Sequence, residues 1–154
     1  MGDRTLILVR HGQLDMEAFA LNGFKAGLTS LGRRQARRTA SRLRSLHVDA
    51  IYYSTLGRAA ETARPRATAA QQGLEKTFAR FIRGHRGAGN RTDLLITHGN
   101  LIRAFVCRVL GLPSESWLLF WTSHCGITDL RITAKGARIV TYNDVAHLPA
   151  ELRT

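Results

Sequence analysis

The sequence has few cysteines and no long apolar run, and each absence excludes a class of protein. Cys107 and Cys125 are the only cysteines among 154 residues, and neither belongs to a Cys-x-x-Cys pair. A disulfide framework and a structural zinc site are therefore not expected. No apolar run reaches the length of a membrane helix, and the first residues lack the cleavage site of a secretory signal. We expect a soluble, cytoplasmic protein.

Acidic residues are also scarce. The chain has 11 Asp and Glu against 23 Lys and Arg, which gives a net charge of +12, and only three of the basic residues are lysine. This balance favours acidic or phosphate-rich partners in general. The basic residues are spread along the whole chain, and no basic stretch is interleaved with aromatic residues. A specific nucleic-acid site is therefore not expected.

The apolar pattern predicts one α/β domain over residues 1–154. Short apolar or β-branched runs predict strands over 5–9, 48–53 and 94–96, and a hairpin over 126–133 and 137–143. Helical periodicity or helix-stop signals predict helices over 29–46, 56–63, 74–82 and 100–110. This order predicts a three-layer α/β/α sandwich with a mostly parallel central sheet and an antiparallel edge.

Two less regular stretches complete the prediction. Residues 13–28 contain two glycines and little periodicity, so a loop is expected there. Residues 117–121 read WLLFW, and this aromatic stretch fits either an internal strand or a subunit contact. We favour the internal strand, because its composition is that of an ordinary protein core.

Polar residues follow each of the first three predicted strands at the point where the strand ends. Arg10 and His11 follow the first strand, Ser54 and then Arg58 follow the second, and His98 follows the third. The carboxyl ends of parallel strands meet in one crevice, so these side chains are expected to converge. The arginine fork matches phosphate oxygens, so two arginines with two histidines indicate a phosphate site.

Four motifs then resemble the histidine phosphatases, also called the phosphoglycerate-mutase-like superfamily. They are LVRHGQ at 8–13, LTSLGRRQA at 28–36, STLGRAAETA at 54–63 and THGNLIR at 97–103. The motifs cover most of the chain and are specific in combination. The stretch from 96 to 117, with GITDLRI after it, is most similar to the mitochondrial serine/threonine phosphatase branch of that superfamily.

The resemblance implies a metal-independent phosphatase without a cofactor. His11 would be the nucleophile that forms a phosphohistidine, and Arg10, Arg58 and His98 would hold the phosphoryl group. The other ring nitrogen of His11 would need an acceptor, and we expect a backbone carbonyl. Gln13 would help to orient phosphate or water. The partner would be a phosphorylated small molecule or a phosphoprotein.

The sequence departs from the family where many members carry a glutamate that protonates the leaving oxygen. The segment that would bear this acid is expected to be shortened around 65–72, and Glu75 and Asp93 do not match the acid motif. General acid catalysis is typically worth about 10²–10⁴-fold, so its loss would favour substrates with good leaving groups. Two alternatives stay open: a compact phosphohistidine phosphatase, or a catalytically weak phosphate-binding or interaction protein.

Three further polar residues lie in or near the motifs. Ser54 and Glu61 are expected to stabilise the local structure. The loop that carries His124, just before Gly126, is expected to approach the site.

Overall fold

A five-stranded sheet forms the centre of the protein. The computed structural model describes residues 2–65 and 89–154. The strands are β1 (Arg4–Arg10), β2 (Ala50–Tyr53), β3 (Arg91–Thr97), β4 (Ile127–Thr133) and β5 (Gly136–Asp144), in the order β2-β3-β1-β4-β5. The β2-β3 and β3-β1 pairings are parallel, and the β1-β4 and β4-β5 pairings are antiparallel. The sheet is therefore mixed, and its antiparallel edge is two strands wide.

Helices cover both faces of this sheet. They are α1 (Met16–Asn22), α2 (Ser30–Leu43), α3 (Gly57–Ala63) and α4 (Gly99–Leu110), with short 3₁₀ turns at Gly23–Lys25, Ser114–Leu119 and Ala150–Leu152. Thr29 caps α2, because its side chain accepts a hydrogen bond from the Gly32 amide. Gly111 ends α4 in the left-handed conformation, with φ 68°.

Alternate residues of β1 point into two separate apolar clusters. Leu6 and Leu8 pack in the cluster that contains Phe105 of α4, whereas Ile7 and Val9 pack in the cluster with Leu43 of α2 and two alanines of α3. Successive side chains of a strand face opposite sides, so a strand apolar throughout requires cover on both faces. The predicted three-layer α/β/α architecture is confirmed.

The parallel register aligns the ends of three strands. Arg10 lies opposite Thr97, and Tyr53 lies opposite Ile96, so β1, β2 and β3 end at the same edge of the sheet. The residues that follow these strands therefore meet there, as the sequence predicts.

A buried ion-pair cluster lies toward the opposite end of β1 and β3. Asp93 is fully buried, and it accepts hydrogen bonds from Arg4 Nε at 2.7 Å and Arg91 Nε at 2.9 Å. Its carboxylate is thus engaged in the structure, which agrees with the expectation that Asp93 does not match the acid motif.

The prediction of a continuous loop over residues 13–28 was wrong. Helix α1 lies within this stretch, with Asp15 as its N-cap accepting from the Ala18 amide at 2.9 Å, and a 3₁₀ turn follows. The helix has seven residues and buries none of them, so it leaves no apolar periodicity in the sequence.

The prediction of an internal strand over residues 117–121 was also wrong. Most of this stretch lies in the 3₁₀ turn Ser114–Leu119, and Leu119 and Trp121 are 84% and 70% exposed. Trp117 contacts the Arg103 guanidinium, which lies 4.6 Å from its ring centroid. No strand within residues 2–65 and 89–154 pairs with this segment, so its aromatic composition was not evidence of a strand.

Other predictions fall outside the described residues. These are the shortened segment around 65–72 beyond Pro65, Glu75 and the helix over 74–82. Within the described residues, no helix is both long and apolar enough to cross a membrane.

Candidate active site

The ends of the parallel strands bring the predicted site residues together around His11. The His11 and His98 rings lie with centroids 5.2 Å apart, and Arg58 Nε lies 3.2 Å from His11 Nε2. Arg10 immediately precedes His11 at the end of β1. The predicted convergence of two arginines and two histidines is therefore present in the structure.

His11 is held as one neutral tautomer. Arg58 Nε can only donate, so His11 Nε2 must accept at 3.2 Å, and the ring hydrogen must lie on Nδ1. Nδ1 donates this hydrogen to the Gly12 carbonyl at 2.7 Å, which is the backbone acceptor that the sequence analysis expected. The lone pair of Nε2 therefore points toward the cationic side of the site.

Burial keeps the histidines of this site uncharged. Burial, with smaller contributions from the neighbouring His98, Arg10 and Arg58, lowers the pKa of His11 from 6.5 to about 3. Burial likewise lowers the pKa of His98 and of His124 to about 4. At neutral pH these three residues, the cleft histidines, are neutral. A neutral imidazole is the form that can act as a nucleophile.

Three buried nitrogen atoms of the site face no partner within the described part of the chain. They are Arg10 Nε, Arg58 Nη1 and His98 Nδ1. Buried polar atoms are normally paired, and an orphaned group calls for an explanation such as a ligand. Burial lowers the pKa of both guanidinium groups, yet arginine stays charged in proteins. The site thus offers two cations and unpaired nitrogens beside a neutral imidazole.

Ser54 fixes the ring of His98. The Ser54 hydroxyl lies 2.8 Å from His98 Nε2, and it also accepts from the Leu56 amide at 3.4 Å. When the hydroxyl donates to Nε2, the remaining hydrogen of the neutral ring lies on the orphaned Nδ1. Ser54 therefore stabilises the local structure, as expected, and it also orients His98.

His124 enters the site from the loop between Thr122 and Gly126. Its Nε2 accepts from Arg10 Nη2 at 3.0 Å, and Arg10 Nη1 donates to the Thr122 carbonyl. The His11 and His124 ring centroids are 5.7 Å apart. The expectation that this loop approaches the site is confirmed, but the contact between His124 and Arg10 was not foreseen.

The neighbouring Cys125 offers no alternative nucleophile. The residue is fully buried, and burial raises the pKa of its thiol to about 12, so the reactive thiolate is not populated. Its backbone amide donates to the Arg10 carbonyl at 3.0 Å. Cys125 therefore joins the His124 loop to the end of β1.

The chain after His11 is packed tightly against α2 and α3. A Cβ atom on Gly12 would lie 2.6 Å from the Gly32 carbonyl oxygen, so the close approach requires glycine. The Gly12 amide donates to Thr62 Oγ1 at 3.0 Å, and the Gln13 amide donates to Gln35 Oε1 at 2.8 Å. These contacts fix the loop that follows His11.

Gln13 and Glu61 stabilise this loop and its surroundings. The Gln13 side-chain oxygen accepts from the Thr29 hydroxyl at 2.8 Å. Glu61 accepts from the Leu28 amide and from Arg33 Nη1, both at 2.8 Å, which is the structural role expected for it. Gln13 also lines the cleft, so its predicted contact with phosphate or water stays a prediction.

A cleft of about 790 Å³ opens over His11. Its lining consists of Arg10, His11, Gln13, Leu14, Asp15, Met16, Glu17, Thr29, Arg58 and His124. Sequence analysis missed the two carboxylates, because they belong to the unpredicted α1 and its cap. Asp15 is engaged as the N-cap, whereas Glu17 is exposed in the first turn.

Two other histidines lie apart from the site. His47 is exposed beside Asp49, and His147 contacts the Thr39 hydroxyl at 2.9 Å. Residues 2–65 and 89–154 contain no group of three or more His, Cys, Asp or Glu residues arranged to hold a metal ion.

Comparison with known families identifies the class of this site. The model of the histidine phosphatase superfamily (branch 1) matches residues 6–82 and 72–145. The chain belongs to the histidine phosphatase superfamily. This membership confirms the family predicted from the four motifs.

The curated relatives of this histidine phosphatase include the serine/threonine-protein phosphatase Pgam5, mitochondrial, of Drosophila grimshawi and of Drosophila melanogaster. They are 32% and 31% identical over 197 aligned residues, which cover 98% of this chain. The chain spans 66% of the length of these relatives. The aligned region exceeds the 154 residues of this chain, so the relatives carry residues there that this chain lacks.

Solved structures share the fold of this histidine phosphatase. Phosphoglycerate mutase from Plasmodium falciparum is 28% identical with a TM-score of 0.69, and the match covers 97% of this chain and 96% of that one. A phosphoserine phosphatase mutant from Entamoeba histolytica, in complex with phosphoserine, has a TM-score of 0.73 at 20% identity, covering 95% of this chain and all of that one. The predicted fold class is thereby confirmed.

Proposed function

We propose that this histidine phosphatase hydrolyses a phosphomonoester or a phosphoprotein, without a metal ion, through a phosphohistidine formed at His11. The observation that carries the proposal is the arrangement around the His11 ring. Its Nε2 is a neutral acceptor held in place by the Gly12 carbonyl, and Arg10, Arg58 and His98 of the same site each carry a buried nitrogen without a partner. A phosphate group would satisfy those nitrogens with its oxygens.

In the proposed first step, His11 Nε2 attacks phosphorus, and the bond from phosphorus to the leaving oxygen breaks. The leaving group departs with that electron pair and takes up a proton. In the second step water attacks the phosphohistidine, the phosphorus–nitrogen bond breaks, and inorganic phosphate leaves. Arg10, Arg58 and His98 would balance the charge on the phosphoryl oxygens in both steps, where positioning and electrostatics supply most of the catalysis.

The carboxylates beside the cleft favour an ester over a phosphoramidate as substrate. A phosphohistidine specialist can dispense with a leaving-group acid, because its leaving group is good. Glu17 lines this cleft and, unlike Asp15, makes no capping hydrogen bond, so it is the carboxylate placed to give a proton to a leaving alkoxide. Glu17→Gln is expected to slow the hydrolysis of alkyl phosphates more than that of aryl phosphates. An equal effect on both would contradict this role for Glu17.

The first experiment is hydrolysis of p-nitrophenyl phosphate by the wild type and by His11→Ala, with a chelator and without added metal. The proposal expects turnover by the wild type and none by the variant. A folded wild type that binds phosphate without turnover would favour the phosphate-binding alternative. The natural partner is proposed to be a phosphoprotein or a phosphorylated small molecule. The cytoplasmic location stays a prediction, and the curated relatives carry a mitochondrial designation in their names.

A further inference from the structure

Residues 152–154 contact the site through two polar side chains. The Gln35 amide nitrogen donates to the Leu152 carbonyl at 2.7 Å and to Thr154 Oγ1 at 2.9 Å, while its oxygen accepts from the Gln13 amide. Gln35 is fully buried. It therefore ties the loop that follows His11 to the segment that ends at Thr154.

The second contact is between Thr154 and His124. The Thr154 carbonyl accepts from the His124 backbone amide at 2.8 Å, and the Thr154 hydroxyl lies 2.9 Å from His124 Nδ1. Both the main chain and the side chain of His124 are thus held by the same residue.

Hydrogen-bond chemistry assigns the roles in this chain of contacts. Arg10 Nη2 can only donate, so His124 Nε2 accepts and the hydrogen of the neutral ring lies on Nδ1. Nδ1 then donates to Thr154 Oγ1, which also accepts from the Gln35 amide nitrogen. A hydroxyl has two acceptor positions, and both are used. An acceptor at this position therefore stabilises the tautomer that the contact with Arg10 requires.

The tautomer matters because of what it does to Arg10. With Nε2 free of hydrogen, His124 accepts from one terminal nitrogen of the guanidinium, while the Thr122 carbonyl accepts from the other. The two acceptors fix the guanidinium plane and leave Arg10 Nε as the unpartnered nitrogen. The opposite tautomer would point a hydrogen at the arginine and release one side of it.

We infer that Thr154 is a positioning residue, which holds His124 in the Nδ1–H tautomer and thereby orients Arg10 toward the phosphoryl group. The inference rests on the proposed phosphate site. Thr154 is exposed, so water competes for the same hydrogen bond and the effect is modest. Loss of one such bond is expected to weaken binding of inorganic phosphate by about three- to tenfold.

The first test reads the tautomer directly. The imidazole nitrogens of 15N-labelled protein are recorded at pH 7 for the wild type, Thr154→Val and Thr154→Ser. The inference expects the Nδ1–H form at His124 in the wild type and the serine variant, and loss of that single form in the valine variant. An Nε2–H tautomer in the wild type overturns the inference, even if the valine variant fails to fold.

The second test is a double-mutant cycle on the affinity for inorganic phosphate, measured by calorimetry. Thr154→Val is expected to weaken binding in the wild-type background and to have no effect in a His124→Gln background, because glutamine can accept from Arg10 but has no tautomer to fix. Equal weakening in both backgrounds, or none in either, overturns the inference. A wild type that binds no phosphate contradicts the proposed function itself, and the inference fails with it.

Discussion

Replacing Arg58 by alanine should abolish most of the catalytic power while leaving the fold intact. Arg58 lies in the first turn of α3, and its Nε donates to Nε2 of His11, the proposed nucleophile, at 3.2 Å. Its Nη1 is one of the three unpartnered buried nitrogens. The substitution therefore removes a positive charge and a directed donor from the proposed phosphoryl site, and it frees the ring of His11.

The size of the effect follows from what such donors contribute. Loss of one preorganised donor to a developing negative charge costs about 10²–10³ in kcat, which corresponds to about 2.7–4 kcal/mol. We expect Arg58→Ala to fall within or beyond that range. Arg58→Lys keeps the charge but loses the planar fork, so it should recover only a small part of the loss.

The assay is steady-state hydrolysis of an aryl phosphate by the wild type, both Arg58 variants and Arg138→Ala. Arg138 is an exposed arginine on β5 and serves as the matched control, with activity expected near that of the wild type. Thermal unfolding of each variant shows whether the fold is retained. A folded Arg58→Ala variant within about threefold of the wild-type kcat/KM would refute the role assigned to this residue.

Three more predictions concern packing, a buried ion pair and pH. Gly12→Ala should lower both stability and activity, because its Cβ would lie 2.6 Å from the Gly32 carbonyl oxygen; a variant with the wild-type melting temperature would contradict this. Asp93→Ala should cost about 3–5 kcal/mol in the free energy of unfolding, since it removes the buried carboxylate that pairs with Arg4 and Arg91, and phosphate affinity measured on the folded protein should stay unchanged. The cleft histidines have pKa values lowered to about 3 and 4 in the folded protein from an ordinary 6.5. At pH values between the folded and the ordinary pKa, the unfolded chain therefore binds more protons than the folded protein does. The urea midpoint should fall as pH decreases below about 6.5, and a midpoint that rises there would contradict this prediction.

Much of the fold could be predicted from the sequence, because the pattern of apolar and polar residues has a physical cause. β1 is apolar on both sides, since it packs between α4 on one face and α2 with α3 on the other. Each parallel strand ended in polar residues, and sheet geometry then required those residues to meet. That argument predicted the neighbourhood of His11, Arg58 and His98 without any contact being known.

Other features depend on contacts that leave no local pattern. Helix α1 buries none of its residues, so nothing in its sequence distinguished it from a loop. The aromatic stretch at 117–121 looked like core, although Leu119 and Trp121 are exposed. The contact between His124 and Thr154 joins residues 30 positions apart through a loop and a turn. Neither hydrophobic periodicity nor motif spacing can predict such a contact.

The central claim is that His11 carries the phosphoryl group. Brief incubation of the wild type with a 32P-labelled phosphate ester, followed by a quench in base, should trap a phosphoenzyme that is stable to base and labile to acid, with the label on the peptide that contains His11. His11→Ala should take up no label. Turnover by the wild type without any labelled protein, or a label that persists in His11→Ala, would contradict the phosphohistidine mechanism.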